Sequence, residues 1–541
     1  MSSSTDAVIW MAVAIVSGVL GWRRLLAYLR YFQQEGYEAG RFFRWVKVRP
    51  LLDPVLWLVI GCAWLATSRP TLAMVVFVAG ALAAAWLQPD PRASGKIHLT
   101  MTWRALRILF AAIVYAIVAW YVVTVVLPLS DFAAMLAAVA VLAVGAPVLL
   151  VAANATLAPY EARAQQWYET DARRRVAELR PTIIGITGSY GKSSAKAMLA
   201  HVLRYHSPTL AASGSINTLM GVTRHIRENL VPGHRFMIVE MGAFKVGSIR
   251  RMCELTPPSA ALITAVGDMH LERFGSLEAI VSAKGELARA LPTSGLLVVN
   301  ADSPGALQIG VAAYDQRVLL YGETSKEALA TRLENVRVSK AGTSFVLRTP
   351  GAAYEAFTPI FGRPIILNLT GVFTLATALG VDPELAVASF RTLKPVSNRL
   401  EVVEEGGITW IRDAYNSNQF GFRAALEVAA ALPAERRILV TPGVIELGPE
   451  QSRVNKSLSA EAAIVCDTTL VVSNTNRAAF QAGHAAQGKA DRLVAVRGRA
   501  EAFKWLDANL KPGDLVILEN DLPDLYERSD GLFVRRPRSV M

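Results

Sequence analysis

At 541 residues the chain is too long for one hydrophobic core, and a hydrophobic share of 52% points to a membrane part joined to soluble domains. A formal charge of +12 would suit nucleic acid, but many Lys and Arg residues flank apolar runs, where topology and anionic lipid account for them, so no nucleic-acid partner is expected. Cys62, Cys253 and Cys466 are far apart and form no CxxC pair, so neither a disulfide framework nor a zinc ribbon is supported.

Apolar runs at about 7–22, 51–67, 71–87, 108–127 and 132–153 predict about five membrane-spanning helices. The last two are long enough to cross ~30 Å of hydrocarbon, and the first three lie near the lower limit. The first run has no basic stretch before it and no small-residue cleavage site before Arg23 and Arg24, so it reads as a retained helix. The loop after it carries Arg23, Arg24, Arg30, Arg41, Arg44, Lys47 and Arg49, and the loop after the third run carries Arg92, Lys96, Arg104 and Arg107. Loops 68–70 and 128–131 hold one Arg between them, Arg69. The positive-inside rule then places the N-terminus outside and everything after the fifth helix in the cytoplasm, as a multi-pass protein of the cell membrane. No run carries an ionisable residue near its centre, so the helices are expected to anchor the chain or face lipid rather than conduct ions. Residues 155–180, with Glu161, Arg163, Glu169, Arg173, Arg174 and Arg175, read as a charged connecting helix.

The soluble part opens with Thr182 to Thr187 (TIIGIT), a β-branched strand, then Gly188-Ser189-Tyr190-Gly191-Lys192-Ser193-Ser194 and a helical stretch from Ala195 to Tyr205. Strand, glycine loop and helix make a phosphate cradle: backbone N–H groups and the helix dipole face the anion, Lys192 meets the β and γ phosphates, and Ser193 can ligate Mg²⁺. The strict G-x-x-x-x-G-K-[ST] pattern is not met, because Ile186 stands five residues before Gly191.

Further motifs follow in order. Glu240 ends an apolar strand in Val239-Glu240-Met241-Gly242-Ala243, and His270 lies in Ile263-Thr264-Ala265-Val266-Gly267-Asp268-Met269-His270-Leu271-Glu272-Arg273-Phe274-Gly275-Ser276. Lys284 lies in Ser282-Ala283-Lys284-Gly285-Glu286, Asp302 in Val299-Asn300-Ala301-Asp302, Asn368 in Ile366-Leu367-Asn368-Leu369, and Arg399 in Asn398-Arg399-Leu400-Glu401. Asp413-Ala414-Tyr415-Asn416-Ser417-Asn418 and Val444-Ile445-Glu446-Leu447-Gly448 complete the series.

Taken together, T-G-S-Y-G-K-S-S and these later motifs resemble the Mur ligases of bacterial cell-wall synthesis over about residues 181–450, and most of all the member that adds D-Ala-D-Ala. The resemblance implies a fold and domain plan: an N-terminal α-helical transmembrane region (1–154), the connecting helix (155–180), an α/β central ATP-binding domain of P-loop ATPase-like fold (181–396) and a Rossmann-like C-terminal domain (397–541). It also implies site residues. Gly188, Ser189, Gly191, Lys192, Ser193 and Ser194 would hold the ATP phosphates. Ser193, Glu240, His270 and Lys284, the last carbamylated to a carboxylate, would hold two Mg²⁺ ions. Asn368 would reach the adenine, Arg399 would clamp phosphate from the domain linker, Asp413 would contact ribose, and Tyr415 beside Asn416 would lie on the adenine. Asp302 is as suited to a structural role as to a binding one.

The implied reaction is attack of a carboxylate on the γ-phosphate of ATP, giving an acyl phosphate and ADP, followed by displacement of phosphate by an amine. Catalytic roles fall to Lys192, Lys284, His270 and Arg399. The chain departs from the family where the UDP-binding domain would stand, since residues 1–180 read as membrane segments and a connecting helix. It departs again at Asn455, where a histidine is usual, and at Glu519-Asn520-Asp521, where K-G-S is usual. The expected acceptor is therefore an amino acid or short peptide, and the expected donor a carboxylate linked to or near the membrane. Two rival readings are an ATPase that regulates or energises its own membrane helices, and a lipid II amidating ligase with a glutaminase partner. The first lacks an ABC signature loop and a D-rich Walker B strand, and the second lacks its four-cysteine ribbon.

Overall fold

The structure is a computed structural model of the chain, described for residues 2–47, 54–87, 101–126, 131–243, 245–267, 274–313, 315–414, 418–445 and 447–520. The chain divides into two units, residues 1–164 with 522–541, and residues 165–521. Among the expected site residues, His270, Tyr415 and Asn416 lie outside the described residues, as does Glu446.

The first unit is helical. It contains α1 (Ser2–Gln34), α2 (Ala39–Lys47), α3 (Pro54–Ala66), α4 (Pro70–Leu87), α5 (Trp103–Val126), α6 (Asp131–Val139) and the start of α7 (Ala146–Leu179). Among the described residues each apolar run falls on helix, but the boundaries differ from the expected ones. The first run continues as helix through Arg24 and Arg30, which were assigned to a loop and are buried; the Arg24 guanidinium lies 4.9 Å from the Tyr28 ring centroid and donates to its hydroxyl (3.1 Å). The fifth run is divided by a π-helical turn at Ala140–Val144, where the Gly145 N–H donates to the Ala140 carbonyl (2.9 Å). A Cβ at Gly145 would collide with the Val141 carbonyl oxygen, which explains the residue at the break. The charged stretch 155–180 is likewise no separate helix, being the second part of α7. Among the described residues one helix, Trp103–Val123, is long and apolar enough to cross a membrane, while Trp57–Ala66 and Thr71–Ala84 are apolar but shorter.

The second unit holds two sheets. The first has the order β2-β3-β1-β4-β5-β6-β7-β8-β9, built from β1 (Thr182–Thr187), β2 (Thr209–Ala211), β3 (Phe236–Glu240), β4 (Ala260–Ile263), β5 (Leu296–Asn300), β6 (Arg317–Gly322), β7 (Thr331–Ser339), β8 (Gly342–Arg348) and β9 (Ala353–Thr358). The pairs from β2 to β7 are parallel, and β7, β8 and β9 form an antiparallel extension. Parallel strands covered by helices on both faces are apolar throughout. Thus Ile184 and Ile186 pack with helices Lys192–Arg204 and Arg363–Ala378 on one face, while Ile183 packs with helices Ser248–Leu255 and Leu277–Arg289 on the other.

The second sheet has the order β10-β11-β15-β12-β13-β14, from β10 (Glu401–Glu405), β11 (Ile408–Asp413), β12 (Arg437–Thr441), β13 (Thr468–Val472), β14 (Leu493–Val496) and β15 (Leu515–Glu519). Only the β10–β11 pair is antiparallel. These are the α/β domains that the sequence implied. In each sheet the carboxyl ends of parallel strands gather at one edge, the position where open α/β sheets bind ligands. Asp302, just past the end of β5, serves the fold: its carboxylate accepts the N–H groups of Glu323 (2.6 Å), Thr324 (3.0 Å) and Ser325 (2.6 Å) and the Thr324 hydroxyl (3.0 Å).

Candidate active site

Residues 188–191 carry the chain from β1 into helix Lys192–Arg204. Two glycines make the turn possible. Gly191 sits at φ +77°, and a Cβ there would strike the Asn368 side-chain amide; at Gly188 a Cβ would strike the Thr264 hydroxyl. The loop is fixed by its neighbour strand: the Ser189 N–H donates to the Ala265 carbonyl (2.7 Å), and the Thr264 hydroxyl donates to the Tyr190 carbonyl (2.6 Å). The Ser189 hydroxyl donates to the Gly267 carbonyl (2.9 Å) and accepts its N–H (3.0 Å).

Behind the loop lies Glu240, 2% exposed at the end of β3. One carboxylate oxygen accepts the Ser193 hydroxyl (3.0 Å) and the Asn217 amide (3.2 Å), and the other is paired with the Lys196 ammonium at 3.0 Å. Lys196 also donates to the Gly214 carbonyl, and the Ser215 hydroxyl lies 3.2 Å from that of Ser193. Sequence reading found Ser193 and Glu240 but missed Lys196, Ser215 and Asn217. The signal for Lys196 was present: three residues after Ser193 on a helix it shares the same face, and a lysine there is buried (3% exposed) only if an anion is near.

Lys192 and Lys284 converge on one acceptor. Both ammonium groups donate to the Gly188 carbonyl, at 2.7 and 2.9 Å, and Lys192 also reaches the Ser189 carbonyl (3.1 Å). Burial lowers the Lys192 pKa to about 8, with Glu240 opposing and Arg399 reinforcing the shift. Lys284 is driven well below the ordinary lysine value, first by burial and then by the charge of Lys192.

The linker residue Arg399 comes to the same place, its guanidinium 3.5 Å from the Ser193 hydroxyl. It stands between Asn398 (φ +57°) and Leu400 (φ +49°), a left-handed pair that costs free energy for residues other than glycine. Burial of Leu400 and a bond from its N–H to the Asp413 carboxylate (3.2 Å) hold the bend. Burial raises the Asp413 pKa to about 6, against the lowering effects of that N–H and of Arg399. Asp413 thus supports the linker, alongside the ribose contact expected of it.

The structure therefore brings together Gly188, Ser189, Gly191, Lys192, Ser193, Glu240, Lys284, Asn368 and Arg399, and Ser194 is buried on the same helix. Asn368 packs on the phosphate loop itself. Asn455 lies in the core of the second sheet's domain, accepting the Val444 N–H and donating to the Val444 and Gln451 carbonyls (2.8 Å each), so the position usually held by histidine is structural here. Asn520, in the stretch that departs from K-G-S, ties the end of β11 to Gly443: its N–H donates to the Asp413 carbonyl (3.0 Å) and its amide to the Gly443 carbonyl (2.6 Å).

The donor set fits a magnesium nucleotide. Glu240 and the Ser193 hydroxyl are hard oxygen donors beside a loop whose glycines and helix N-terminus suit phosphate. Among the described residues no three His, Cys, Asp or Glu side chains converge. Replacing Lys196 by Met strands a buried carboxylate at a cost of about 3–5 kcal/mol. We expect Lys196→Met to lower the Tm, and Mg²⁺ with ADP to raise the variant's Tm by more than it raises that of the wild type. Equal shifts in a thermal denaturation series would show that Glu240 does not meet the metal nucleotide.

Comparison with known proteins agrees with this geometry. Residues 186–376 match the Mur ligase middle domain, and residues 398–519 match the Mur ligase glutamate ligase domain. The UDP-N-acetylmuramoyl-tripeptide–D-alanyl-D-alanine ligase of Escherichia coli is 31% identical over 318 residues, covering 58% of this chain and 69% of that protein. The protein of the same name from Mycobacterium bovis is 31% identical over 363 residues, covering 62% of this chain and 70% of that protein. A crystal structure of MurF from Acinetobacter baumannii shares the fold at a TM-score of 0.59 and 24% identity, over 66% of this chain and 77% of that one. With the phosphate loop, the buried glutamate and the linker arginine at one edge of the sheet, the chain belongs to the Mur ligase family and is an ATP-dependent, ADP-forming acid–amino-acid ligase.

Proposed function

We propose that this ligase activates an acidic donor at the Glu240 edge of the central domain and joins it to an amino acid or short peptide in cell-wall or related envelope synthesis. The observation that carries the reading is the convergence of Lys192, Glu240, Lys284 and Arg399 on one loop. Relatives that act on UDP-N-acetylmuramoyl-tripeptide and D-alanyl-D-alanine support the substrate class. A cavity of about 340 Å³ adjoins the site, with Asn217 and Gly242 on its Glu240 side and Lys245, Arg250 and Arg251 among its lining residues. Cations around such an opening favour a donor that carries negative charge.

Ser193 and Glu240 would hold magnesium, which when bound neutralises charge gathering between the donor carboxylate and the γ-phosphate. Lys192 would hold the phosphate end, and Arg399 would bring a permanent, planar cation to it from the linker. His270 remains the second metal ligand by resemblance, and Asn368, Asp413, Tyr415 and Asn416 the base and sugar contacts. For Lys284 we propose the carbamate. A neutral amine is needed for its lone pair to form the N–C bond with carbon dioxide, releasing a proton, and burial beside Lys192 favours that neutral form. The resulting carboxylate would help hold a second Mg²⁺ and remove a repulsion between two ammonium groups on one carbonyl.

Residues 1–154 we read as a multi-pass anchor in the cell membrane, N-terminus outside and the two α/β domains (181–396 and 397–541) in the cytoplasm. Support comes from α5 and from large apolar side chains presented outward on it and on α3: Phe110 is 71% exposed, Tyr121 64%, Val125 65% and Trp64 74%. The basic residues read as cytoplasmic, apart from the buried Arg24 and Arg30, suit an anionic lipid or a lipid-linked donor.

Two outcomes test these readings. Lys284→Ala should abolish turnover and regain part of it with added short carboxylic acids, whereas an unmodified amine in the active, metal-loaded enzyme, read by mass or crystallography, would overturn the carbamate. Removal of residues 1–154 should lower acceptor-dependent ADP release on a lipid-linked donor more than on its soluble form. Equal activity of the truncated and full-length enzymes on the lipid-linked form would make the helices a tether alone.

A further inference from the structure

The phosphate loop carries an aromatic ring between its serine and its second glycine. Tyr190 is fixed through its backbone, its N–H donating to the Ala265 carbonyl (3.3 Å) and its carbonyl accepting the Thr264 hydroxyl (2.6 Å). The ring lies over Gly267, where a Cβ would come to 3.0 Å from it. On its other side it meets Phe420, with ring centroids 5.5 Å apart and planes at 57°. Phe420 is the second residue of helix Gln419–Ala431 in the C-terminal domain, a helix capped by the Asn418 side chain, which accepts the N–H groups of Phe420 and Gly421 (3.0 Å each).

Phe420 is 50% exposed, so it fills no core, and Tyr190 is the ring partner that gives its placement a purpose. The contact links two stretches that the nucleotide reading assigns to opposite ends of ATP: the loop at 188–193, and the segment 413–418 that leads into the Phe420 helix. A glycine at 267 leaves room for the tyrosine ring, and the Asn418 cap fixes where the phenylalanine begins its helix.

We propose that Tyr190 and Phe420 are a positioning pair, an aromatic clasp that holds the C-terminal domain closed over the phosphate loop so that nucleotide meets an assembled site. This rests on the nucleotide reading of the loop. An offset or tilted aromatic pair has a coupling equivalent to roughly two- to tenfold in an equilibrium constant. Without the clasp, nucleotide binding must also drive closure, and affinity falls by that factor.

The test is calorimetric titration of the full-length, detergent-solubilised chain with ADP and Mg²⁺. Tyr190→Ala and Phe420→Ala should each raise the Kd by about two- to tenfold, and the double variant should be no weaker than the weaker single one. Tyr190→Phe, which keeps the ring, should bind like the wild type. Should Tyr190→Ala fail to fold, Tyr190→Leu and Phe420→Leu complete the same cycle. Wild-type affinity in both single variants, or losses that simply add, would overturn the clasp while leaving the nucleotide site intact. A wild-type chain that does not bind ADP with Mg²⁺ would instead overturn the nucleotide reading, and the clasp with it.

Discussion

The buried carboxylate of Glu240 is the constraint around which the central domain is arranged. A charge at 2% exposure is tolerable only with compensation, and three residues from two segments supply it: Ser193 and Lys196 from the helix after the phosphate loop, and Asn217 from the loop after β2. Those bonds fix the first turn of that helix to the end of β3. They also set Ser193 where Arg399 can approach it from the linker. One ionised group thus aligns the phosphate loop, the neighbouring strand and the hinge to the next domain, and the same group is a hard donor for a divalent cation.

A second feature is the gathering of cations. Lys192, Lys196, Lys284 and Arg399 all lie at this one edge, with the carboxylates of Glu240 and, beside Arg399, Asp413. Burial is the main cause of the lowered pKa values of Lys192 and Lys284, and the neighbouring cations Arg399 and Lys192 add to it. The gathering of cations is the arrangement needed by a site that must bring phosphates and a carboxylate together, anions that repel until neutralised.

Local motifs were legible because their chemistry is carried by adjacent residues. Strand, glycine loop and helix at 182–204, Glu240 at a strand end and Arg399 in the linker all stand where their motifs indicated. What escaped the sequence was contact between distant segments. Asn217 meets Glu240 across 23 residues, and no motif announces it. Tyr190 occupied a position that any residue can fill, so its partner Phe420 became visible only with both domains in place. In the N-terminal unit, hydropathy located the helices but not their ends, since it sums apolar residues and is blind to a π-helical break such as 140–144. Asn455 and Asn520 show the same limit from the other side. Each departs from a family motif, and each is held by backbone carbonyls as a structural residue of the C-terminal domain.

The central claim is that Glu240 holds the divalent cation of a bound nucleotide. It is tested most directly by counting Mn²⁺ bound to the full-length chain in the presence of ADP, by electron paramagnetic resonance, in the wild type and in Glu240→Gln. The glutamine keeps the shape of the side chain and can still accept from Ser193, but it removes the charge. The account predicts that the variant loses nucleotide-dependent Mn²⁺ binding while remaining folded. Undiminished Mn²⁺ stoichiometry and affinity in Glu240→Gln would contradict it.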